Sequence, residues 1–197
     1  RSPSRGLGDV YKRQGLLPAL LGAAARPDAD AAARGLRALH RVVKELASRR
    51  LLPHKREFCA LAPALATDVA RMLGVHVAAA LGGGGGGGDN GARARALVGA
   101  ALCAKVLREL LVHGHVGLRE AASDARSAAA RAHADNAAAA LRPLAAMLDS
   151  AGTDGVIEGE AAETLARALL KLVAGVHERH GAAALGARGV ACLLYTS

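Results

Sequence analysis

Four histidines occur in pairs whose spacing could bring ring nitrogens together at the end of a helix. His177 and His180 are three residues apart, and His113 and His115 flank a predicted helix end. A zinc site needs three or four converging ligands, and the string HERH lacks the HExxH spacing of the metalloproteases. Histidines in a last helical turn more commonly complement the helix dipole. We therefore predict structural histidines and no metal ligand.

The chain has three cysteines, of which Cys192 lies in the C-terminal segment that reads as non-native below, so Cys59 and Cys103 are the candidate nucleophiles. Cys59 and Cys103 lie far apart and lack the local Cys/His pattern of a catalytic thiol. Two separated cysteines in a chain with helical patterns are typical of buried thiols rather than of a disulfide framework. No acid–base or nucleophile constellation occurs elsewhere, so we predict no catalytic residue and expect the protein not to be an enzyme.

A run of seven glycines, Gly82–Gly88, is the only segment that could suggest a phosphate-binding loop. No Lys-Ser or Lys-Thr pair follows it and no predicted strand precedes it, as a phosphate loop would require. Polyglycine is a flexible coil. We predict a glycine-rich insertion over residues 82–91, with no cofactor-binding residue.

A basic stripe is predicted on one helix face, formed by Arg34, Arg37, Arg41 and Lys44. Such a stripe could contact an acidic partner, although an exposed basic face is usually only solvated. Nucleic-acid binding gains from stacking aromatic side chains, and just 2% of the residues are aromatic. We therefore predict no direct nucleic-acid partner.

The composition favours an all-α fold. Hydrophobic residues make up 52% of the chain and are mainly Ala, Leu and Val, which suit closely packed helices. No uninterrupted apolar run approaches the roughly 20 residues that span a bilayer, and the N-terminus lacks a signal-peptide pattern. A soluble, intracellular protein without membrane insertion is the expectation.

Apolar residues at helical spacing place the first two long helices. Pro27 and Asp28 are typical of a helix start. The apolar face of the helix that follows comprises Ala32, Leu36, Leu39, Val43 and Leu46. A second helix begins at about Pro53 and is expected to kink at Pro63. Its predicted buried side comprises Phe58, Leu61, Leu65, Val69 and Met72.

Further helices follow the glycine run. One is predicted to end at Gly114, acting as a left-handed C′ glycine. An Ala-rich segment over residues 118–148 has helical propensity, and a last helix runs to Gly181. Three of the helices match one another at offsets of 64 and then 66 residues. The matched apolar positions are Leu39, Val43 and Leu46, then Cys103, Leu107 and Leu110, then Leu169, Val173 and Val176.

Matched helices with one apolar face each can bury those faces only by stacking. The sequence thus predicts an α-solenoid of HEAT-like helix pairs, an armadillo-like superhelix fragment of about three pairs. The offsets exceed the roughly 40–47 residues of a HEAT or armadillo unit; the glycine run and the Ala-rich segment account for the excess. We expect each matched helix to contact the inner helix that follows it.

The two ends of the chain read as non-native. DVYKRQ at residues 9–14 and CLLYTS at 192–197 can be encoded by nearly reverse-complementary DNA, as expected of a library adapter read at both ends of a fragment. We predict non-native tails over residues 1–14 and 192–197; ordinary disordered termini are the alternative. Without these tails the formal net charge falls from +9 to +6, because residues 1–14 carry four Arg or Lys and one Asp.

Several strings between the tails carry a family resemblance. GLLPALL at residues 15–21, ALHRVVKELASRRL, REFCALAP, LCAKVLRELLVHGHV and ETLARALLKLVAGVHERHGAAAL follow in that order. They resemble the early HEAT repeats of the importin-β family of nuclear transport receptors, or karyopherins, most of all the importin-eleven subgroup. The resemblance covers residues 15–191.

The resemblance implies a receptor that shuttles between nucleus and cytoplasm and carries protein cargo through the nuclear pore. Its partners would be cargo proteins, FG nucleoporins and the Ran GTPase, whose GTP form controls cargo release and binds mainly to repeats upstream of this segment. The alternative function is a HEAT-repeat scaffold or regulatory subunit for other protein complexes.

Overall fold

The computed structural model describes residues 15–26, 28–48, 52–82, 90–114 and 159–180. Within these ranges every element of regular secondary structure is a helix, which confirms the predicted all-α class. The helices are α1 (Leu16–Ala24), α2 (Ala29–Ser48), α3 (Leu52–Leu81), α4 (Asn90–His113) and α5 (Glu160–His180). The predicted tails at 1–14 and 192–197, and the Ala-rich segment at 118–148, lie outside the described residues.

Helix α2 begins where its start signal predicted. The backbone N–H groups of Asp30 and Ala31 donate to the two carboxylate oxygens of Asp28, at 3.1 and 3.3 Å. Asp28 thereby satisfies donors that have no partner inside the helix, and it acts as the N-cap.

Helix α4 ends at His113, immediately before Gly114, but not by the predicted left-handed turn. Among the described glycines only Gly159, at the start of α5, has a positive φ, of 104°. Gly114 instead allows a close approach between helices, since a Cβ there would lie 2.5 Å from the Cβ of Ala62 in α3. Close packing of α4 against α3 therefore explains why a glycine stands at this position.

The glycine-rich insertion is shorter at its C-terminal end than the predicted range of 82–91. Helix α3 continues to Leu81, and the N–H of Gly82 still donates to the carbonyl of Ala78 at 2.8 Å. Helix α4 already includes Asn90 and Gly91, and Asn is favourable at a helix N-terminus. Residues 83–89 lie outside the described part of the chain.

The core confirms the apolar faces of the three matched helices, α2, α4 and α5. All nine matched residues are buried, with at most 8% of any one exposed. Because the same three positions are buried in each helix, the offsets of 64 and 66 give the correct helix faces.

One apolar position of α3 was predicted wrongly. Phe58, Leu65 and Val69 are buried and Met72 packs partly against the core, but Leu61 is 44% exposed. The buried stripe of α3 also runs through small residues, Ala62, Ala66 and Ala70, and through Leu73 and Val77. The stripe therefore lies further round the helix than the large apolar residues alone suggested, and Leu61 falls beyond its edge.

Helix α4 is the centre of the packing. It lies against α2, α3 and α5, while α1 packs on α2. Contacts between α2 and α3 are slight. The predicted contact of α2 with the helix that follows it is therefore present but minor, since α2 packs mainly on the preceding α1 and on α4.

Two glycines explain this pairing. A Cβ at Gly35 of α2 would lie 2.6 Å from the backbone nitrogen of Ala24 in α1, and a Cβ at Gly99 of α4 would lie 2.6 Å from Cε1 of His76 in α3. Gly35 and Gly99 are themselves 64 residues apart, the offset that relates α2 to α4. The preceding helix thus makes its close approach at the same position in both pairs.

One segment, Phe58–Leu81 in α3, is long and apolar enough to cross a membrane by length and composition. The sequence prediction considered only uninterrupted apolar runs and did not identify it. The segment contains Asp68 and Arg71, and its buried stripe packs against α4. These features are typical of a core helix.

Candidate functional site

A basic groove of about 410 Å³ crosses the surface of α2, α4 and α5. Four of its residues are cations, and none is a carboxylate. The groove is lined by His40, Lys105, Arg108, Thr164, Arg167, Ala168 and Lys171. A concave surface with this charge is suited to bind an anionic group.

Two of the helices behind the groove, α4 and α5, run in the same direction. Lys105 lines the groove together with Thr164 near the start of α5. Further along both helices, a Cβ at Gly175 would lie 3.0 Å from Cγ2 of Val112. Earlier residues of α4 thus face earlier residues of α5, so the two helices are parallel.

Equivalent charged positions occur on the three helices α2, α4 and α5, which pack side by side. Arg41, Lys105 and Lys171 are separated by 64 and 66 residues, the offsets of the matched apolar positions. All three are exposed. We call these three residues the cation ladder; it places one positive charge on each of three stacked helices.

Nearby carboxylates pair with two of the groove's cations but not with its ladder members. Arg167 forms an ion pair with Glu163, and Arg108 Nη1 lies 3.5 Å from Oε1 of Glu109. Lys105 and Lys171 make no ion pair with any residue that the structure describes. Among the described residues, these two ammonium groups are thus the cations of the groove that have no carboxylate partner.

Glu109 is the one buried charged residue among those described, with 7% of its surface exposed. Its other oxygen lies 3.6 Å from Nε2 of His113, one turn further along α4. The carboxylate is held between Arg108 and His113, as a buried charge requires. Glu109 thus places a negative charge beside Arg108 at the side of the groove.

His40 is half-buried at the groove, and its pKa is lowered from the usual value. Burial is the largest cause, because it disfavours the imidazolium form. The positive charges of Lys105, Lys44 and Arg108 lower the pKa further, while Glu109 opposes them. At neutral pH His40 is therefore mainly neutral, and the groove's positive charge comes from its lysines and arginines.

The predicted basic stripe of α2 is exposed along its whole length, from Arg34 through Arg37 and Arg41 to Lys44. Its continuation across α4 and α5 was not foreseen, and Lys105 and Lys171 were missed. A usable signal existed, since the offsets of 64 and 66 that relate the apolar residues also lead from Arg41 to both lysines.

The two cysteines lie in the core, as predicted. Cys59 is 8% exposed and Cys103 is fully buried. Burial raises the pKa of the Cys103 thiol to about 12, so the thiolate needed for nucleophilic attack is absent at neutral pH.

Of the four histidines singled out in the sequence, only His113 has a described side chain; it lies in the last turn of α4, as predicted. His177 and His180 belong to the end of α5, and His115 lies outside the described residues. No group of three or more His, Cys, Asp or Glu that could hold a metal ion occurs in the described part of the chain.

A second cavity of about 410 Å³ lies between the end of α1 and α3. It is mainly apolar, with Leu21, Met72 and the 64% exposed Val75 on its walls. Asp68 and Arg71 form an ion pair of 2.8 Å there, which leaves Arg26 as the one other Arg, Lys, Asp or Glu on its walls. The basic groove is the stronger candidate for a polar ligand.

No protein-family model, curated protein or solved structure matches the chain. The helix stack and the basic groove are therefore the structural features from which a function can be inferred.

Proposed function

We propose that the chain is a segment of a HEAT-like α-solenoid and belongs to a nuclear transport receptor. In this role it forms part of a stacked-helix surface that holds protein cargo on passage through the nuclear pore. Ran in its GTP form controls cargo release, mainly through repeats outside this segment.

The observation that supports the solenoid proposal is the repeated geometry of two helix pairs. The pairs α1/α2 and α3/α4 each have a glycine, Gly35 or Gly99, where the preceding helix comes closest. The second helices of these pairs, α2 and α4, pack on each other, and α5 extends the row. A unit that buries its apolar face on the next equivalent unit is the building principle of a solenoid.

A binding role suits this architecture, because stacked repeats give extended surfaces for protein partners. The transport assignment itself is supported by the order of the importin-like strings over residues 15–191. The transport proposal also includes FG nucleoporins as partners and movement of the protein between the nucleus and the cytoplasm.

The transport proposal is tested with the longest protein that the transcript of this chain encodes. Pull-down with Ran loaded with GTP or with GDP is expected to show binding selective for the GTP form. Cargo captured from an extract is expected to dissociate when Ran-GTP is added. Equal binding of both nucleotide forms, or none, contradicts the transport role and favours a HEAT-repeat scaffold or regulatory subunit.

A further inference from the structure

We propose that the cation ladder of Arg41, Lys105 and Lys171 binds an extended acidic segment of a partner protein, with carboxylates at every third residue. This inference goes beyond the transport role. It depends on the stacking of α2, α4 and α5 and not on Ran or the nuclear pore.

The spacing of the ladder sets the spacing of the ligand. Packed helices lie about 8–10 Å apart, so equivalent residues on neighbouring helices are separated by about that distance. A peptide in the extended polyproline II conformation has three residues per turn and rises about 3.1 Å per residue, so residues three apart lie on the same face about 9 Å from each other. Acidic side chains at positions i, i+3 and i+6 can each meet one cation of the ladder.

The groove offers such a segment further polar contacts. Arg108 and Arg167 lie beside Lys105 and Lys171, and the Thr164 hydroxyl can donate to or accept from a peptide backbone. Both arginines also contact glutamates, Glu109 and Glu163, so they offer an incoming carboxylate less positive charge than the two lysines do.

An acidic peptide fits the groove better than single-stranded nucleic acid does. Sequence-tolerant nucleic-acid sites combine a basic groove with aromatic side chains on which bases stack. None of the groove-lining residues is Phe, Tyr or Trp. Carboxylates need only the cations, which the ladder supplies.

The test uses fluorescence anisotropy with two labelled peptides of identical composition, titrated with the 197-residue chain at low salt. One peptide has Glu at positions i, i+3 and i+6 among Ser and Ala, and the other has its three Glu in succession. We expect the spaced peptide to bind several-fold more tightly, and added salt to weaken both because exposed charges are screened.

Charge reversal identifies the binding surface. The variant Lys105→Glu/Lys171→Glu is expected to weaken binding of the spaced peptide by roughly tenfold or more, since two ion pairs become repulsions. The control variant Arg34→Glu/Arg93→Glu changes the net charge by the same amount, at positions outside the cation ladder. It should retain most of the affinity for the spaced peptide. Lys105→Gln/Lys171→Gln, which introduces no repulsion, should show an intermediate loss, and circular dichroism checks that each variant remains helical.

Three outcomes overturn the proposal: equal affinity for the two peptides, equal loss in the two charge-reversal variants, or tighter binding of a single-stranded RNA 12-mer than of the spaced peptide. Because none of these measurements involves Ran, a failure here is distinguishable from a failure of the transport role.

Discussion

Gly99 of α4 lies directly beneath the imidazole ring of His76 in α3, so that an added Cβ would come within 2.6 to 2.9 Å of three ring atoms. At the equivalent position of α2, the same addition at Gly35 would meet the backbone of Ala23 and Ala24 instead. The two contacts are equivalent in the repeat but differ in what can move. A histidine ring can shift, whereas a helix backbone cannot do so without moving α1.

This difference predicts unequal effects of Gly→Ala substitution. Gly35→Ala should lower the free energy of unfolding by about 1–3 kcal/mol, because it overpacks a helix contact against backbone. Gly99→Ala should lower the free energy of unfolding by less than Gly35→Ala does. When His76→Ala removes the imidazole ring, the loss caused by Gly99→Ala should become smaller still. Urea denaturation followed by circular dichroism measures each value.

Gly22 and Gly74 provide matched controls for those substitutions. Both are helical and have no atom within 4 Å of an added Cβ, so alanine there should stabilise the protein by about 0.5–1 kcal/mol through helix propensity. Stabilisation by Gly35→Ala of the same size as in the controls would show that α1 does not approach α2 at this glycine.

Leu107 and Arg37 test the assignment of helix faces. Leu107 is fully buried at a matched position of α4, so Leu107→Ala should destabilise the chain by about 2–5 kcal/mol. Arg37 is exposed on α2, and Arg37→Ala should change stability by at most about 0.5 kcal/mol. Similar values for the two substitutions in denaturant titrations would contradict the assigned faces.

Stability should decrease on mild acidification. The pKa values of His40 and His76 are both lowered in the folded chain, with burial the largest cause for each. The unfolded chain, whose histidines titrate near about 6.5, therefore binds more protons than the folded chain below that pH. The two histidines contribute to the free energy of unfolding in full above their pKa in the unfolded chain. This contribution is lost as the pH falls from there towards their lowered pKa values in the folded chain.

Denaturant midpoints at pH 7.5 and 5.5 measure this dependence, and His40→Gln and His76→Gln should each make it smaller. Unchanged pH dependence in the double variant would contradict the assignment to these two histidines.

The reactivity of the thiols of Cys59 and Cys103 should show that both are buried in the core. In a Cys192→Ser background the remaining cysteines are Cys59 and Cys103, both buried. A thiol-specific chromogenic reagent should label the native chain slowly at neutral pH and label two thiols per chain in denaturant, since burial and the raised Cys103 pKa remove the reactive thiolate. Rapid native labelling of Cys103 would place α4 outside the core.

The faces of α2, α4 and α5 could be predicted from the sequence because large apolar residues recur at helical spacing in all three. The face of α3 was partly missed because its contact with α4 uses small side chains such as Ala62, which lies against Gly114. Small residues carry a weak hydrophobic signal, although they permit the closest helix contacts. Leu61 was consequently assigned to the wrong side.

The groove could not be predicted as a site because its residues come from three helices that are distant in the chain. The stripe through Arg41 was recognised on α2, but Lys105 and Lys171 join it only once the order and direction of stacking are known. The pairing of the helices could not be predicted either, because apolar periodicity does not indicate which neighbour a helix packs on. Gly35 lets α1 approach α2, but a glycine adds nothing to the apolar pattern.

The central claim is that α2, α4 and α5 stack in parallel, with equivalent residues aligned. Pulsed electron–electron resonance between spin labels tests it most directly, in a Cys192→Ser background whose other cysteines are buried. Labels at Arg41→Cys and Lys171→Cys should lie about 20 Å apart, twice the spacing of packed helices. Labels at Arg34→Cys and Glu178→Cys, displaced along the helix axes, should lie further apart, at about 29 Å. A 34–178 distance equal to or shorter than the 41–171 distance would contradict the parallel, aligned stack.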